Sequence, residues 1–331
     1  MSKVKIGING FGRIGRRLFR LLHNHPEIEV VAVNDLADGL TLAHLLKYDS
    51  IHGIFHADVS FAENSLLVDG RSVRLFQNSM PQANRWAEEE VEVVVEATGK
   101  FKTYKDLKGH LDAGAGKVIL SVPPSDDSIK TIVLGVNDHL IEQDDRILSN
   151  ASCTTNNAAP MIKVVKDLCG IKQAYISTVH SYTTDQSLHD QPHHDLRRAR
   201  AASQSIVPTT TGAAKALTKI FPDLKDVIGG CGIRVPVPNG SLTDVTLNVS
   251  RETTSEEINE AFKKAAEGNL RGILDYTLVP LVSIDIVGNT HSCIVDGQMT
   301  SVIGNLVKLI GWYDNETGYS SRIIDLILKI S

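Results

Sequence analysis

The residues with the clearest chemical potential lie in Ser149-Asn150-Ala151-Ser152-Cys153-Thr154-Thr155-Asn156-Asn157. A thiol flanked by hydroxyls, ahead of an apolar run interrupted by Pro160, predicts a turn leading into a helix. A helix start favours negative charge, so a cysteine there is biased toward thiolate. Free cysteines more often serve as small core residues than as nucleophiles, but three hydroxyl neighbours argue against a core role here. A nucleophilic thiol needs a base, and the best candidate is His180 in Ser177-Thr178-Val179-His180-Ser181-Tyr182-Thr183.

A second constellation binds rather than reacts. Gly10-x-Gly12-x-x-Gly15 follows the β-rich stretch Val4 to Ile8 and precedes Ile14, Leu18, Leu21 and Leu22 at helical spacing. That strand–glycines–helix context is what a dinucleotide fingerprint requires. The first glycine permits the turn, the second admits the pyrophosphate, and the third lets helix and strand pack closely. Asp35 ends the next strand pattern, about 20 residues on, where an acid accepts ribose hydroxyls. Thr98-Gly99 and Ser121 follow two further strands, as cofactor contacts or as ordinary turn residues. Thr209-Thr210-Thr211-Gly212 precedes a helical pattern, an anion-binding arrangement or a plain cap. Arg234 stands alone in an apolar run, where it holds an anion or a structural ion pair. The polar stretch 183–205 carries Asp185, Arg198 and several histidines without clean metal spacing, so no metal is predicted.

These residues need a scaffold. Strand patterns at 29–33, 93–96, 118–121 and 131–134, with helical segments such as 105–113 between them, predict an α/β domain with a parallel sheet. Beyond Cys153 the pattern changes: 174–179 delivers His180, 242–249 alternates, and Thr254-x-x-Glu257 reads as a capping box before Ile258, Phe262 and Ala265. The chain has 331 residues, enough for two domains. A net charge of −5 argues against general nucleic-acid or membrane-surface binding. No secretory pattern precedes Val4, no run has transmembrane length, and the four cysteines lack zinc or redox spacing. A reducing, cytoplasmic home is the resulting expectation.

Taken together, the ordered blocks Ile8 to Arg16, Ser149 to Asn156, His180 to Thr183, Asp195 to Ala201, Pro208 to Lys215 and Trp312 to Tyr319 resemble the phosphorylating glyceraldehyde-3-phosphate dehydrogenase family. The resemblance spans essentially the whole chain. It implies a Rossmann-type NAD-binding domain over 1–150, joined by a C-terminal helix at about 315–331. It also implies an α+β catalytic domain with a mostly antiparallel sheet over 151–314. Cys153 would be the nucleophile and His180 its base. Ser152, Thr154, Thr211 and Gly212 match the family's inorganic-phosphate site. Thr183, Asp185, Arg198 and Arg234 match positions around the substrate phosphate and active centre. Gly10, Gly12, Arg13, Ile14, Asp35, Thr98, Ser121 and Asn315 match the NAD side. The implied partners are glyceraldehyde 3-phosphate, inorganic phosphate and three further copies of the chain in a homotetramer. There are departures. Asn157 stands where a second cysteine is usual, Ser79 or Met80 where an arginine is often found near the adenine, and Gln191 where an apolar residue is common. Rival readings are erythrose-4-phosphate dehydrogenase, a thiol hydrolase using Cys153 and His180, and a non-catalytic NAD-binding protein.

Overall fold

The structure, a computed structural model, describes residues 3–331. The chain divides into two compact units: 1–132 with 140–151 and 320–331, and 133–139 with 152–319.

The first unit holds β1 (Val4–Asn9), α1 (Arg13–Leu22), β2 (Ile28–Asn34), α2 (Gly39–Lys47) and the short pair β3 (Tyr48–Asp49) and β4 (Gly53–Ile54). There follow β5 (Val59–Ala62), β6 (Ser65–Val68), β7 (Arg71–Phe76), β8 (Val93–Glu96), α3 (Tyr104–Asp112), β9 (Lys117–Leu120), β10 (Lys130–Thr131) and β11 (Ile147–Ser149). Its main sheet runs β10-β11-β9-β8-β1-β2-β7-β6-β5. Every pairing from β10 to β7 is parallel, and only the β5–β6–β7 edge is antiparallel. Central strand β8 is buried throughout, as its apolar run requires, and β1 is buried from Ile6 to Asn9. The antiparallel edge was not anticipated from sequence, because 59–76 alternates weakly and carries its turns at Glu63-Asn64 and Asp69-Gly70. The expected strand over 131–134 is also corrected. It stops at Thr131, because Asn137 Oδ1 takes the Val133 N–H at 2.7 Å and Gly135 turns the chain with φ +76°.

A buried polar network lies beneath the carboxyl ends of β1, β2 and β8. The Trp86 indole N–H donates to His110 Nδ1 at 3.0 Å. An indole only donates, so the ring proton of neutral His110 lies on Nε2, 3.0 Å from Glu96 Oε2. Glu96 also accepts from the Thr98 N–H (2.8 Å) and from Asn9, whose Oδ1 accepts from Asn34 at 2.6 Å. These bonds satisfy a fully buried carboxylate and fix the loop ends above it.

The second unit holds α4 (Cys153–Cys169), β12 (Ile171–Ser181), β13 (Val207–Thr209), α5 (Ala213–Ile220), β14 (Ile228–Val235), β15 (Ser241–Val249), α6 (Ser255–Glu267), β16 (Leu274–Thr277), β17 (Cys293–Asp296), β18 (Ser301–Ile303) and β19 (Leu306–Tyr313). The last helix, α7 (Thr317–Ile330), begins here and passes into the first unit at Ser320. The sheet order is β13-β14-β12-β15-β19-β17-β16, with β18 on β19. Five pairings are antiparallel and two, β12–β14 and β16–β17, are parallel. Thr254 caps α6 by accepting from the Glu257 N–H, but the Glu257 carboxylate pairs with Arg251 and Thr253. The expected capping box is therefore only half formed: a guanidinium outcompetes a backbone amide for the carboxylate.

The tightest constraint on the glycine loop is at Gly15, where a Cβ would lie 2.2 Å from the Gly10 carbonyl oxygen. Gly15→Ala should therefore push the loop away from α1. The expected result is NAD binding weakened roughly tenfold or more, about 1.4 kcal/mol, in a fluorescence titration. An unchanged Kd would show that the loop does not need this contact.

Candidate active site

Cys153 is the first residue of α4, and the turn before it is built by two local devices. Ala151 takes a left-handed backbone, φ +55°, and Ser152 returns to an extended conformation as the N-cap. Its Oγ accepts from the Thr155 N–H at 3.1 Å, leaving the first-turn amides around Cys153. Two bonds then pin the helix to β19. Thr154 Oγ1 pairs with the Tyr313 hydroxyl at 2.9 Å. One turn on, the buried Asn157 Nδ2 donates to the carbonyls of Trp312 (3.2 Å) and Ser292 (3.3 Å). Asn157, the departure at the second-cysteine position, thus anchors the nucleophile helix. All four cysteines are free.

His180 lies near the end of β12, with Nε2 3.4 Å from Cys153 Sγ. The parallel register of β12 and β14 pairs His180 with Arg234, so the guanidinium stands directly beside the imidazole. Arg234 Nη1 contacts His180 Nδ1 and donates to the Ser181 carbonyl at 3.0 Å. The Tyr313 ring meets His180 edge-on, with centroids 5.9 Å apart. Tyr313 was not singled out from sequence; only its place in a strand was legible.

Desolvation works against the helix-start polarity that favours a thiolate. Burial pushes the Cys153 thiol up, against the pull of Arg234 and of the Thr154 N–H. Burial and the neighbouring Arg234 push His180 down to about 3. Both effects oppose the charged form of the pair.

Arg234 has no carboxylate partner among the described residues, and no acceptor takes its Nη2 or Nε. Arg198 differs: Asp185 pairs with its Nη1, Asp195 lies 3.6 Å from its Nε, and Thr209 accepts from Nε at 3.0 Å. Thr183 starts a turn closed by the Gln186 N–H at 2.9 Å. Thr211 Oγ1 accepts from the Ala213 N–H at 3.2 Å at the start of α5, and nothing lies within 4 Å of where a Gly212 Cβ would be. Asn315 Oδ1 accepts from Ser181 (2.9 Å) and Ser241 (3.0 Å), which orients its amide nitrogen.

In the first unit a cleft of about 260 Å³ is lined by Asn9, Gly10, Gly12, Asp35, Asn78 and Thr98, among others. It fits the adenosine half of a dinucleotide. Gly10 has φ +95° and packs against Thr98, while open space stands over Gly12. Asp35 accepts from the Phe11 N–H at 2.8 Å and the Ala37 N–H at 3.0 Å, which fixes both oxygens yet leaves lone pairs for ribose hydroxyls. Arg13 reaches Asp49 at 2.6 and 3.2 Å, so its side chain is engaged within the protein. Ile14 is half-buried in the first turn of α1, and buried Ser121 donates its N–H to the Glu96 carbonyl at 3.0 Å. Ser79 lines the cleft and Met80 is exposed.

One unit with a parallel sheet and a dinucleotide cleft, and another carrying a paired thiol and imidazole, define the class of an NAD-dependent dehydrogenase. Residues 4–104 match the model of the glyceraldehyde 3-phosphate dehydrogenase NAD binding domain, and residues 152–315 that of the C-terminal domain. Glyceraldehyde-3-phosphate dehydrogenase from Geobacillus stearothermophilus is 52% identical over 330 residues, covering 99% of this chain and 98% of its own. Glyceraldehyde-3-phosphate dehydrogenase 1 from Bacillus cereus is 51% identical over 324 residues, 97% of each chain. The Mycobacterium avium protein of the same name is 51% identical over 334 residues, 99% of this chain and 98% of its own. The chain belongs to the glyceraldehyde-3-phosphate dehydrogenase family. Its cofactor is NAD. No helix among the described residues is long and apolar enough to cross a membrane.

The position of His180 gives a stability signature. Its proton affinity is depressed in the folded chain, from 6.5 to about 3. Between those values the unfolded chain binds more protons, so this contribution is complete above 6.5 and is lost as pH falls toward 3. His180→Gln should lose less stability than the parent chain over that window in urea melts. Parallel losses would show that His180 is not buried neutral.

Proposed function

We propose that this chain oxidises and phosphorylates glyceraldehyde 3-phosphate to 1,3-bisphosphoglycerate through a thioester on Cys153. The observation that carries this reading is the Cys153–His180 pair set beside Arg234, a cation with no carboxylate partner among the described residues. The aldehyde carbon takes the Cys153 sulfur, and the thiol proton passes through His180 Nε2 to the new alkoxide, giving a hemithioacetal. His180 Nε2 then withdraws the hydroxyl proton as hydride leaves the same carbon. Bound NAD supplies the hydride acceptor. Phosphate attacks the remaining thioester, the carbon–sulfur bond breaks, and Cys153 leaves as thiolate. First-turn amides of α4 support the developing oxyanion.

Arg234 and Thr183 hold the substrate's own phosphate, with the paired Arg198 and Asp185 shaping the surrounding loop. Ser152, Thr154, Thr211 and Gly212 hold the attacking phosphate. Gly10, Gly12, Arg13, Ile14, Asp35, Thr98, Ser121 and Asn315 serve the cofactor, Arg13 through its backbone since Asp49 engages its side chain. The chain assembles as a cytoplasmic homotetramer. Support for assembly comes from the 183–206 segment, where Leu188, Leu196 and Ile206 are 71%, 82% and 69% exposed. The names of the relatives favour this substrate over erythrose 4-phosphate.

Steady turnover of glyceraldehyde 3-phosphate should require inorganic phosphate, and Thr211→Ala should mainly raise the KM for it. An equal steady rate without phosphate would move erythrose-4-phosphate dehydrogenase ahead. Asp35 places a carboxylate where the 2′-phosphate of NADP would sit, and like charges repel. kcat/KM should therefore favour NAD over NADP, and Asp35→Ala should narrow the difference. Equal values in the parent chain would remove this role from Asp35.

A further inference from the structure

We propose that Ser181 and Ser241 are positioning residues: their two hydroxyls fix which end of the Asn315 amide faces the cofactor, and the Ser181 backbone holds the general base in the same frame. This role rests on the reading of Asn315 as a nicotinamide-side contact.

Asn315 is 8% exposed, and two buried hydroxyls meet at its Oδ1. Ser181 Oγ lies 2.9 Å from that oxygen and Ser241 Oγ 3.0 Å. One backbone group sets the polarity of the contact. The ladder between β12 and β15 ends at the Val179–Leu242 pair. Past that end the Ser181 N–H donates to Ser241 Oγ at 3.1 Å. A backbone N–H cannot reverse, so Ser241 Oγ accepts there and keeps its single proton for Asn315. Its next partner, Ser181 Oγ, is 3.5 Å away. Two hydroxyl protons thus converge on one amide atom, which must be the oxygen. Turning the amide over would leave at least one of those protons without an acceptor in the cluster. Asn315 Nδ2 has no acceptor among the described residues. It is the end left for a ligand, and it can hold only an acceptor such as a carbonyl oxygen.

The main chain around the cluster is locked. The buried Asp314 carboxylate accepts from the Glu316 and Thr317 N–H groups at 2.8 and 2.7 Å, which sets the turn into α7. It also accepts from the Gly288 N–H at 2.7 Å and from Asn239 Nδ2 at 3.0 Å, two residues before Ser241. With the backbone of Asn315 fixed, the hydroxyls set its amide. The same cluster reaches the thiol and its base. The Ser181 carbonyl oxygen lies 2.7 Å from His180 Nδ1. A carbonyl only accepts, so Nδ1 carries the proton and Nε2, 3.4 Å from Cys153 Sγ, faces the thiol as an acceptor. Ser181 thus sends its N–H to Ser241 and its hydroxyl to Asn315, while its carbonyl holds His180.

The test is calorimetric titration of the cofactor-free chain with NAD and with ADP-ribose, which lacks the nicotinamide ring. Ser181→Ala and Ser241→Ala should each weaken NAD roughly tenfold, the scale of one orienting hydrogen bond, and leave ADP-ribose unchanged. Mass-mapped iodoacetamide labelling then follows Cys153 at neutral pH in the same cofactor-free variants. Ser241→Ala should slow it roughly threefold or more, because the Ser181 N–H loses its acceptor. Ser181→Ala keeps both backbone bonds and should label at the parent rate. Should Ser241→Ala fail to fold, Ser241→Cys makes the same comparison, as a thiol is a weak donor and acceptor. Weakening of NAD and ADP-ribose alike would mark a general loss of structure and overturn the positioning role. Equal labelling of the two serine variants overturns the link to His180. Asn315→Ala separates the two layers. If it weakens NAD while both serine variants bind NAD like the parent, the serine frame falls and the Asn315 reading stands. If it too binds NAD like the parent, both fall.

Discussion

A cation that lacks a carboxylate partner among the described residues, set against a buried imidazole, is the interaction on which the second unit turns. Arg234 cannot deprotonate, and its desolvation is only partly offset by one carbonyl and one ring nitrogen. The site therefore carries uncompensated positive potential before any ligand arrives. That potential depresses His180, pulls on the Cys153 thiol and favours an anion. A carboxylate partner for Arg234 would have gained stability and lost all three effects. The protein does neutralise the neighbouring Arg198 in that way, through Asp185 and Asp195. The contrast between two arginines in one region separates the group held for the fold from the group held for an anion.

Such a site works only if its members cannot drift. Cys153 is positioned by the Ser152 cap and by two anchors to β19 at successive turns of α4, through Thr154 and Asn157. His180 and Arg234 are positioned by sheet register, since a one-residue slip of β14 on β12 would send Arg234 to the opposite face. Asn157 illustrates a trade. A thiol there would be a weak hydrogen-bond donor, whereas the amide ties the Trp312 carbonyl of β19 and the Ser292 carbonyl just before β17 to the helix and leaves Cys153 without a thiol neighbour one turn away.

The first unit solves a different problem with the same economy. Its cleft is shaped by backbone, because Gly10 and Gly15 allow approaches that no side chain would permit. Backbone loops are soft, and the Trp86–His110–Glu96–Asn9–Asn34 network stiffens them from below. The same glycine loop orients Asp35 through the Phe11 N–H. Cradle and specificity group are thus mechanically one piece.

The sequence by itself determined the two-domain plan, the dinucleotide cleft, the helix opening at Cys153 and the pairing with His180. Each of these is written in local signals: glycine spacing, strand-then-helix periodicity, and a reactive residue at an element boundary. Only the tertiary structure decided how far burial opposes charge on the pair. Helix polarity biases Cys153 toward thiolate, whereas the desolvation that opposes it is a sum over distant residues and has no local signature. The same reason hid Tyr313, whose hydroxyl reaches Thr154 from 159 residues away. It also left Arg234 ambiguous between ion pair and anion site, since the absence of a carboxylate partner can be known only once every neighbour is in place. Spacing along the chain names the groups that can react; their proton inventory is set by what the fold packs around them.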